Sequence, residues 1–422
     1  MDLSLPRGIR DIGPDEYGLH WDVRRAFEEV ARSFNFSMME PAPIEHLSTL
    51  RAKSGPDIDS EIYAFRDKGG RDVGLRFDLT VGMTRYVCSR RDLKPPVKLA
   101  CFGGVWRYDE PQHARYRWFN QWDLEIFGQP AVESDAEVID ASFRIFERLG
   151  MRDTFVHVGD RRAVQDFIAS LGFAGDRAEE LMRALDKAQK RSVQELKLEY
   201  VAKGFDEEAV ESVFEFGKVR GQPSSVIKRL EEMKLSSAEE LASLADQLRS
   251  RGVSRVEFDM GVVRGLDYYT GVVFEVLDKS HPELGSLCGG GRYDILPRIF
   301  GRPDLSATGS AGGVERAVLS LGGTRRREVL VHVAFAGHEM YSEALKATSS
   351  LRSEGIRTDI SAASRSLGKQ LEEAAGHGAA WVVIVGRKEM KEGVVTLRDM
   401  ASGKEERLPL SEAAARVRNQ AS

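Results

Sequence analysis

The chain has 422 residues, 42% of them hydrophobic and 30% charged, with a net charge of −5. That is the composition of a globular protein of two to three domains, with no window apolar enough to span a membrane and no signal-like start, so a cytoplasmic protein is expected. The acidic balance excludes whole-molecule attraction to nucleic acid, and Cys88, Cys101 and Cys288 lack the paired spacing of a disulfide framework or zinc site and read as buried structural thiols.

Over residues 14–34, Leu19, Val23, Phe27, Val30, Ala31 and Phe34 recur at helical spacing after Pro14-Asp15-Glu16, which predicts a helix with one buried face. Residues 38–44 read as an extended piece that Pro41 and Pro43 confine to an edge or a bulged strand, one able to pair across a dimer. Strands over 61–65 and 73–77 flank a turn at 67–70, and a helix follows over 81–89. Asp78 stands at that junction either as an N-cap or as a carboxylate for an ammonium group.

Residues 99–106 are apolar and small, 108–114 are polar around Pro111, and 116–126 alternate, which predicts a hairpin. Trp118, Asn120, Trp122, Leu124 and Ile126 then point one way, and Arg117, Phe119, Gln121, Asp123 and Glu125 the other. A row of one amide and two carboxylates either faces solvent or, if buried, needs hydrogen-bond partners. Arg107, Arg115 and Arg117 around the loop suit a phosphate-bearing ligand.

A helix over 134–149 stops at Gly150, and a strand over 155–158 follows. Residues 161–251 are rich in Lys, Glu, Ala and Leu and read as a helical block inserted into a sheet domain. Its charged runs, 185–197 and 226–234, are either solvated helix faces or an RNA contact. Antiparallel, alternating strands over 255–263 and 270–277 flank RGLDYYTG. Gly289, Gly290 and Gly291 precede Arg292 with no Lys-Ser or Lys-Thr pair, so the run predicts close approach of a backbone or a flat ligand rather than a P-loop. After the glycines of 307–313, a helix from Val314 presents Glu315 and Arg316 in its first turn, where an arginine binds an anion or pairs with an acid.

The joint 322–327, with Arg325, Arg326 and Arg327 as a solvated hinge or an RNA patch, marks a domain boundary. Beyond it strands and helices alternate from 329 to 399, a compact α/β unit with a mostly parallel core. Residues 328–422 hold 13 basic and 13 acidic residues, so net charge does not mark a nucleic-acid surface there.

Five of these segments match known signatures. PRGIRD from Pro6, LRFDLT from Leu75, the hairpin 102–128, ATGSAGGVER from Ala307 and RGLDYYTGVVFE from Arg264 resemble those of histidyl-tRNA synthetases. These are class II aminoacyl-tRNA synthetases, and the likeness is greatest to their archaeal and eukaryotic branch. The hairpin resembles class II motif 2, ATGSAGGVER motif 3, and RGLDYYTG a signature special to histidyl enzymes. Non-catalytic paralogues of the family tend to lack the C-terminal domain and to erode the RGLDYYTG and motif 2 arginine positions, all three of which this chain keeps.

The resemblance implies an α+β fold: an antiparallel six-stranded catalytic sheet flanked by helices, a helical insertion and a C-terminal α/β anticodon-binding domain. The expected divisions are 1–158 and 253–322 for the catalytic domain, 159–252 for the insertion and 328–422 for anticodon binding. It implies a homodimer that activates L-histidine with ATP and Mg2+ and transfers it to tRNA(His); the protein ligands of the metal stay unassigned. Arg107 would hold the α-phosphate and the histidine carboxylate, Arg264 the opposite side of the α-phosphate, and Arg316 the γ-phosphate. Asp78, Thr80 and Gln121 match the positions that accept the α-ammonium, while Glu125 and Tyr269, with Tyr268 beside them, match those for the imidazole. The adenine amino group falls to Asp109 or Glu110, Arg115 is a nucleotide or acceptor-stem contact, and either Pro41 or Pro43 is the dimer-interface proline of motif 1.

Overall fold

The computed structural model describes residues 3–52, 58–110, 116–188, 191–264, 269–322 and 329–421. Its first helix, Pro14–Ser33, has proline in the first turn beside Asp15 and Glu16, which favour the positive end of the helix dipole. Leu19, Val23, Phe27, Val30 and Ala31 form its buried face, as the spacing requires.

Strand β1 (Ser37–Met38) is an edge strand paired in parallel with the later strand at Leu99 and Ala100. Strands β2 (Ile44–His46), β3 (Ala64–Arg66) and β4 (Asp72–Leu75) make a small sheet in the order β2-β4-β3. The strand expected from residue 61 starts later because Ile58–Glu61 is helical. The predicted turn is present: Asp67 Oδ1 accepts from the backbone N–H groups of Gly69 and Arg71, both at 2.9 Å.

The main sheet continues with β5 (Val97–Trp106), β6 (Trp118–Phe127), β7 (Thr154–Asp160), β8 (Arg220–Gly221), β9 (Val256–Asp259), β10 (Val272–Asp278), β11 (Cys288–Arg292) and β12 (Ala307–Gly313). Its order is β1-β5-β6-β12-β11-β10-β7-β9-β8. The six strands from β5 to β7 are antiparallel throughout, so the expected six-stranded sheet is the centre of a nine-stranded one. Parallel β1 extends one edge, and β9, parallel to β7, extends the other together with β8. Strands β9 and β10 run antiparallel as expected but are not neighbours, because β7 lies between them.

Helix Ala131–Arg148 covers one face of this sheet and contributes Ile139, Phe143 and Phe146 to the core. Trp122 of β6 is fully buried there, stacked on Phe27 at 5.6 Å and tilted against Phe146 at 6.2 Å. Truncating such a residue costs about 3–5 kcal/mol.

Among the described residues, six helices, from Arg161–Ser170 to Ala238–Ser250, build the inserted block. In its charged run Arg191 pairs with Glu199 at 2.7 Å and Lys197 with Glu211 at 3.0 Å, as on a solvated helix face, where each pair contributes about 0.2–1 kcal/mol.

By its contacts the chain falls into two units, Met1–Thr324 and Arg325–Ser422. The second has β13 (Val331–Phe335), β14 (Thr358–Ile360), β15 (Trp381–Val385), β16 (Val395–Asp399) and β17 (Glu405–Leu408), in the order β14-β13-β15-β16-β17. The first three strands are parallel and the last two antiparallel. Helices Tyr341–Ser353, Leu367–Gly376 and Leu410–Ala421 accompany them; β17 and the last helix lie beyond the alternation legible in the sequence.

Candidate active site

Register alone places the site. Directly paired residues of antiparallel strands share a face. Gln121, Asp123 and Glu125 of β6 lie opposite Gly313, Ala311 and Gly309 of β12, and the latter two lie opposite Gly289 and Gly291 of β11. Glu275 of β10 faces Gly289 on the far side. One face of the sheet is therefore a furrow whose floor, on the two middle strands, carries only glycine and alanine, between a polar row on β6 and Glu275 on β10.

Two of those glycines show why side chains are absent. A Cβ at Gly309 would lie 1.6 Å from Glu125 Oε2, and one at Gly289 would lie 1.5 Å from Arg264 Nη1. The space each lacks is filled by a charged side chain reaching over it from the neighbouring wall.

The polar row is buried, which excludes the solvent-facing alternative: Gln121, Asp123 and Glu125 are 4%, 0% and 1% exposed. Burial of this kind needs partners, and they are present. Gln121 Nε2 donates to Asp123 Oδ1 at 2.7 Å, and Thr80 Oγ1 donates to Asp123 Oδ2 at 3.1 Å. The Tyr293 hydroxyl donates to Glu125 Oε2. Asp78 accepts from the Val81 backbone N–H at 3.1 Å; Leu79 holds the N-cap position of helix Thr80–Ser89, so Asp78 satisfies a first-turn N–H from one residue ahead of the cap.

Arg107 follows the end of β5. Its Nε donates to the Phe77 carbonyl at 2.9 Å, its Nη2 to Gln121 Oε1 at 3.4 Å, and its cation lies 5.2 Å from the Phe119 ring. Arg264 stands across the furrow with φ 48°, left-handed for a non-glycine residue, a conformation that costs about 1–3 kcal/mol. Arg161 Nη1 holds this backbone by donating to the carbonyls of Val263 and Arg264, each at 3.1 Å. The Arg264 guanidinium pairs with Glu275 at 3.3 Å and lies 5.9 Å from the buried Tyr269 ring.

Arg316, in the first turn of helix Val314–Ser320, donates to the Ser286 carbonyl at 2.7 Å, so a carbonyl is one partner of the arginine expected to meet an anion or an acid. Asp109 accepts through its carbonyl from Arg117 Nε at 3.1 Å, and Glu110 pairs with Arg7 at 3.0 Å on the surface. Arg115 and Tyr268 lie outside the described residues, as do Arg325, Arg326 and Arg327.

Sequence reasoning missed Tyr293 and Glu275, which fix Glu125 and Arg264, and left Asp123 without a role. Alternation put Asp123 in the right row; no local signal marks Tyr293, which bonds to a residue 168 positions away. The thiols take no part: burial pushes Cys88 up to about 11 and Cys101 and Cys288 up to about 12, so all three stay protonated and inert.

An antiparallel sheet with a furrow floored by glycine and alanine and arginines on both sides of it fits a class II aminoacyl-tRNA synthetase. Residues 8–317 match the family described as histidyl-tRNA synthetase, and residues 329–420 the anticodon binding domain. The histidine–tRNA ligase of Pyrococcus horikoshii is 37% identical, with 99% of each chain covered. The crystal structure of histidyl-tRNA synthetase from Nostoc sp. PCC 7120 superposes with a TM-score of 0.88 at 25% identity, covering 100% of both chains. A Bacillus halodurans C structure described as an ATP phosphoribosyltransferase regulatory subunit/histidyl-tRNA synthetase shares the fold, with a TM-score of 0.77 at 24% identity, covering 92% of this chain and 99% of that one. The chain belongs to the histidyl-tRNA synthetase family, and its activity is that of a histidine–tRNA ligase, which uses ATP.

Proposed function

We propose that both steps of the ligation run in the furrow between β6 and Arg264. In the first, a carboxylate oxygen of histidine attacks the α-phosphorus of ATP; the bond to the β-phosphate breaks and pyrophosphate leaves. In the second, the terminal ribose hydroxyl of tRNA(His) attacks the carbonyl carbon of the adenylate and AMP leaves. Positioning and charge neutralisation suffice for both, and each can supply several kcal/mol.

The glycine floor carries this reading, since it admits a flat, extended adenylate between polar walls. Arg107, oriented by Phe77 at Nε and Gln121 at Nη2, holds the α-phosphate and the histidine carboxylate, and Arg264 takes the opposite side of the α-phosphate. Thr80 gives its proton to Asp123, so its lone pairs accept the α-ammonium beside Asp78 and Gln121. Glu125, oriented by Tyr293, takes one imidazole N–H, with Tyr269 and Tyr268 at the other end of the ring. A site that serves both nitrogens rejects isosteres lacking them by about 10⁴-fold or more. Arg316 meets the γ-phosphate, Asp109 or Glu110 the adenine and Arg115 the nucleotide or acceptor stem.

Mg2+ arrives on the ATP phosphates and needs few protein ligands. The catalytic domain, 1–158 and 253–322, acts with the insertion 159–252, and 328–422 binds the anticodon. The enzyme works as a homodimer in the cytoplasm: β1 is an edge strand, Pro41 and Pro43 lie beside it, and three unpaired buried thiols suit a reducing compartment. ATP–pyrophosphate exchange with each amino acid in turn is the test. Exchange should depend on histidine and on no other amino acid; exchange indifferent to histidine overturns the assignment.

A further inference from the structure

The second unit holds a side-chain cluster that the ligation does not use. His332 of β13 lies directly across from Asp359 of β14 on adjacent parallel strands, and His377 follows the C-terminal end of helix Leu367–Gly376. One ligating atom from each lies within 4.8 Å of the others. Asp359 Oδ2 is 2.9 Å from His377 Nδ1 and 3.9 Å from His332 Nδ1.

Counting protons fixes the tautomer of His332. Ser361 has one hydroxyl proton and donates it to Glu373, a carboxylate that only accepts. Ser361 Oγ must then accept from His332 Nε2, 2.8 Å away. Nε2 carries the ring proton, and Nδ1 presents a lone pair. His332 is 0% exposed and its Nδ1 has no hydrogen-bond partner among the described residues. The group it faces, Asp359, is itself an acceptor. At 3.9 Å the Asp359 oxygen lies beyond hydrogen-bond reach of Nδ1.

A buried imidazole lone pair aimed at a carboxylate calls for a cation between them. We propose that His332, Asp359 and His377 bind one divalent cation of the zinc type through two imidazole nitrogens and one carboxylate oxygen. Borderline nitrogen and oxygen donors in this number suit Zn2+, Co2+ or Ni2+ better than Mg2+ or Ca2+. Ser361 and Glu373 are the outer hydrogen bonds that orient a ligating imidazole. Side-chain exposures of 51% for His377 and 41% for Asp359 leave the remaining coordination positions to water. Bonds of about 2.0–2.2 Å place tetrahedral ligands about 3.3 Å apart, a spacing that the 2.9 and 3.9 Å separations from Asp359 to the two imidazoles bracket. The ion would tie β13, β14 and the end of helix Leu367–Gly376 together.

The test uses the full chain, untagged and stripped with a chelator, titrated with Co2+ without ATP and followed by visible d–d absorption. One equivalent should bind, Zn2+ should displace it, and His377→Ala and Asp359→Asn should each weaken binding about tenfold or more. Both substitutions are at the surface, and unchanged circular dichroism and thermal melting of the metal-free variants will report that the fold survives them. Absence of Co2+ bands, or binding equally strong in both variants, overturns the site and leaves a plain His377–Asp359 hydrogen bond.

Discussion

Glu315 occupies the first turn of helix Val314–Ser320, 4% exposed, and its two oxygens accept from the Asn120 backbone N–H at 2.9 and 3.2 Å. Burial outweighs that hydrogen bond and pushes its carboxyl from 4.5 up to about 7. Between those values the folded chain holds a proton that the unfolded chain has released. Stability should therefore fall as pH rises through this window, by about 3 kcal/mol at most. Glu315→Gln keeps an acceptor for Asn120 and removes the charge. Its Tm relative to the unsubstituted protein should climb from about pH 5 to about pH 8, because every other titration cancels in the difference. A difference that stays flat with pH would show that Glu315 titrates normally.

At the scale of elements, the furrow makes the glycines of β11 and the position of Arg264 one device. Arg264→Ala should lower adenylate formation by about 10²–10³-fold, the usual loss of a preorganised charge, while histidine binding weakens less. Gly289→Ala tests the same arginine without touching it. The added Cβ would meet the far end of the Arg264 side chain, at 1.5 Å, which can swing away while the strand keeps its ladder to β10 and β12. Exchange should fall towards the Arg264→Ala level with Tm changed by only a few degrees; exchange at the original rate would mean that the placement of Arg264 does not matter.

The elements also show what the sequence could reveal. A period of two along β6 is local, so Gln121, Asp123 and Glu125 were legible as one row, and the run at Gly289–Gly291 was legible as a place of close approach. Burial of that row was not, because it depends on Thr80 and Tyr293, which arrive from other parts of the chain. The insertion of β7 between β9 and β10 is a pairing across about a hundred residues, and alternation within each strand carries no trace of which neighbour it takes.

For the whole molecule, the decisive feature is that each unit closes its own core. In the first, Trp122, Phe143 and Val158 lie in one cluster of buried residues, and Leu79, Val105 and Val273 in a second. In the second unit, Val331, Leu351, Trp381 and Val417 belong to one cluster and Ala334, Ala374 and Val382 to another. The furrow, both its arginines and the polar row all belong to the first unit. A chain ending at Thr324 should therefore fold and catalyse histidine-dependent pyrophosphate exchange within a few-fold of the full chain. Its tRNA charging should fall by more than tenfold, about 1.4 kcal/mol, and mainly through KM for tRNA, because that step alone uses the anticodon unit. Lost exchange would mean that adenylate formation needs the second unit, and undiminished charging would remove the anticodon role from residues 328–422.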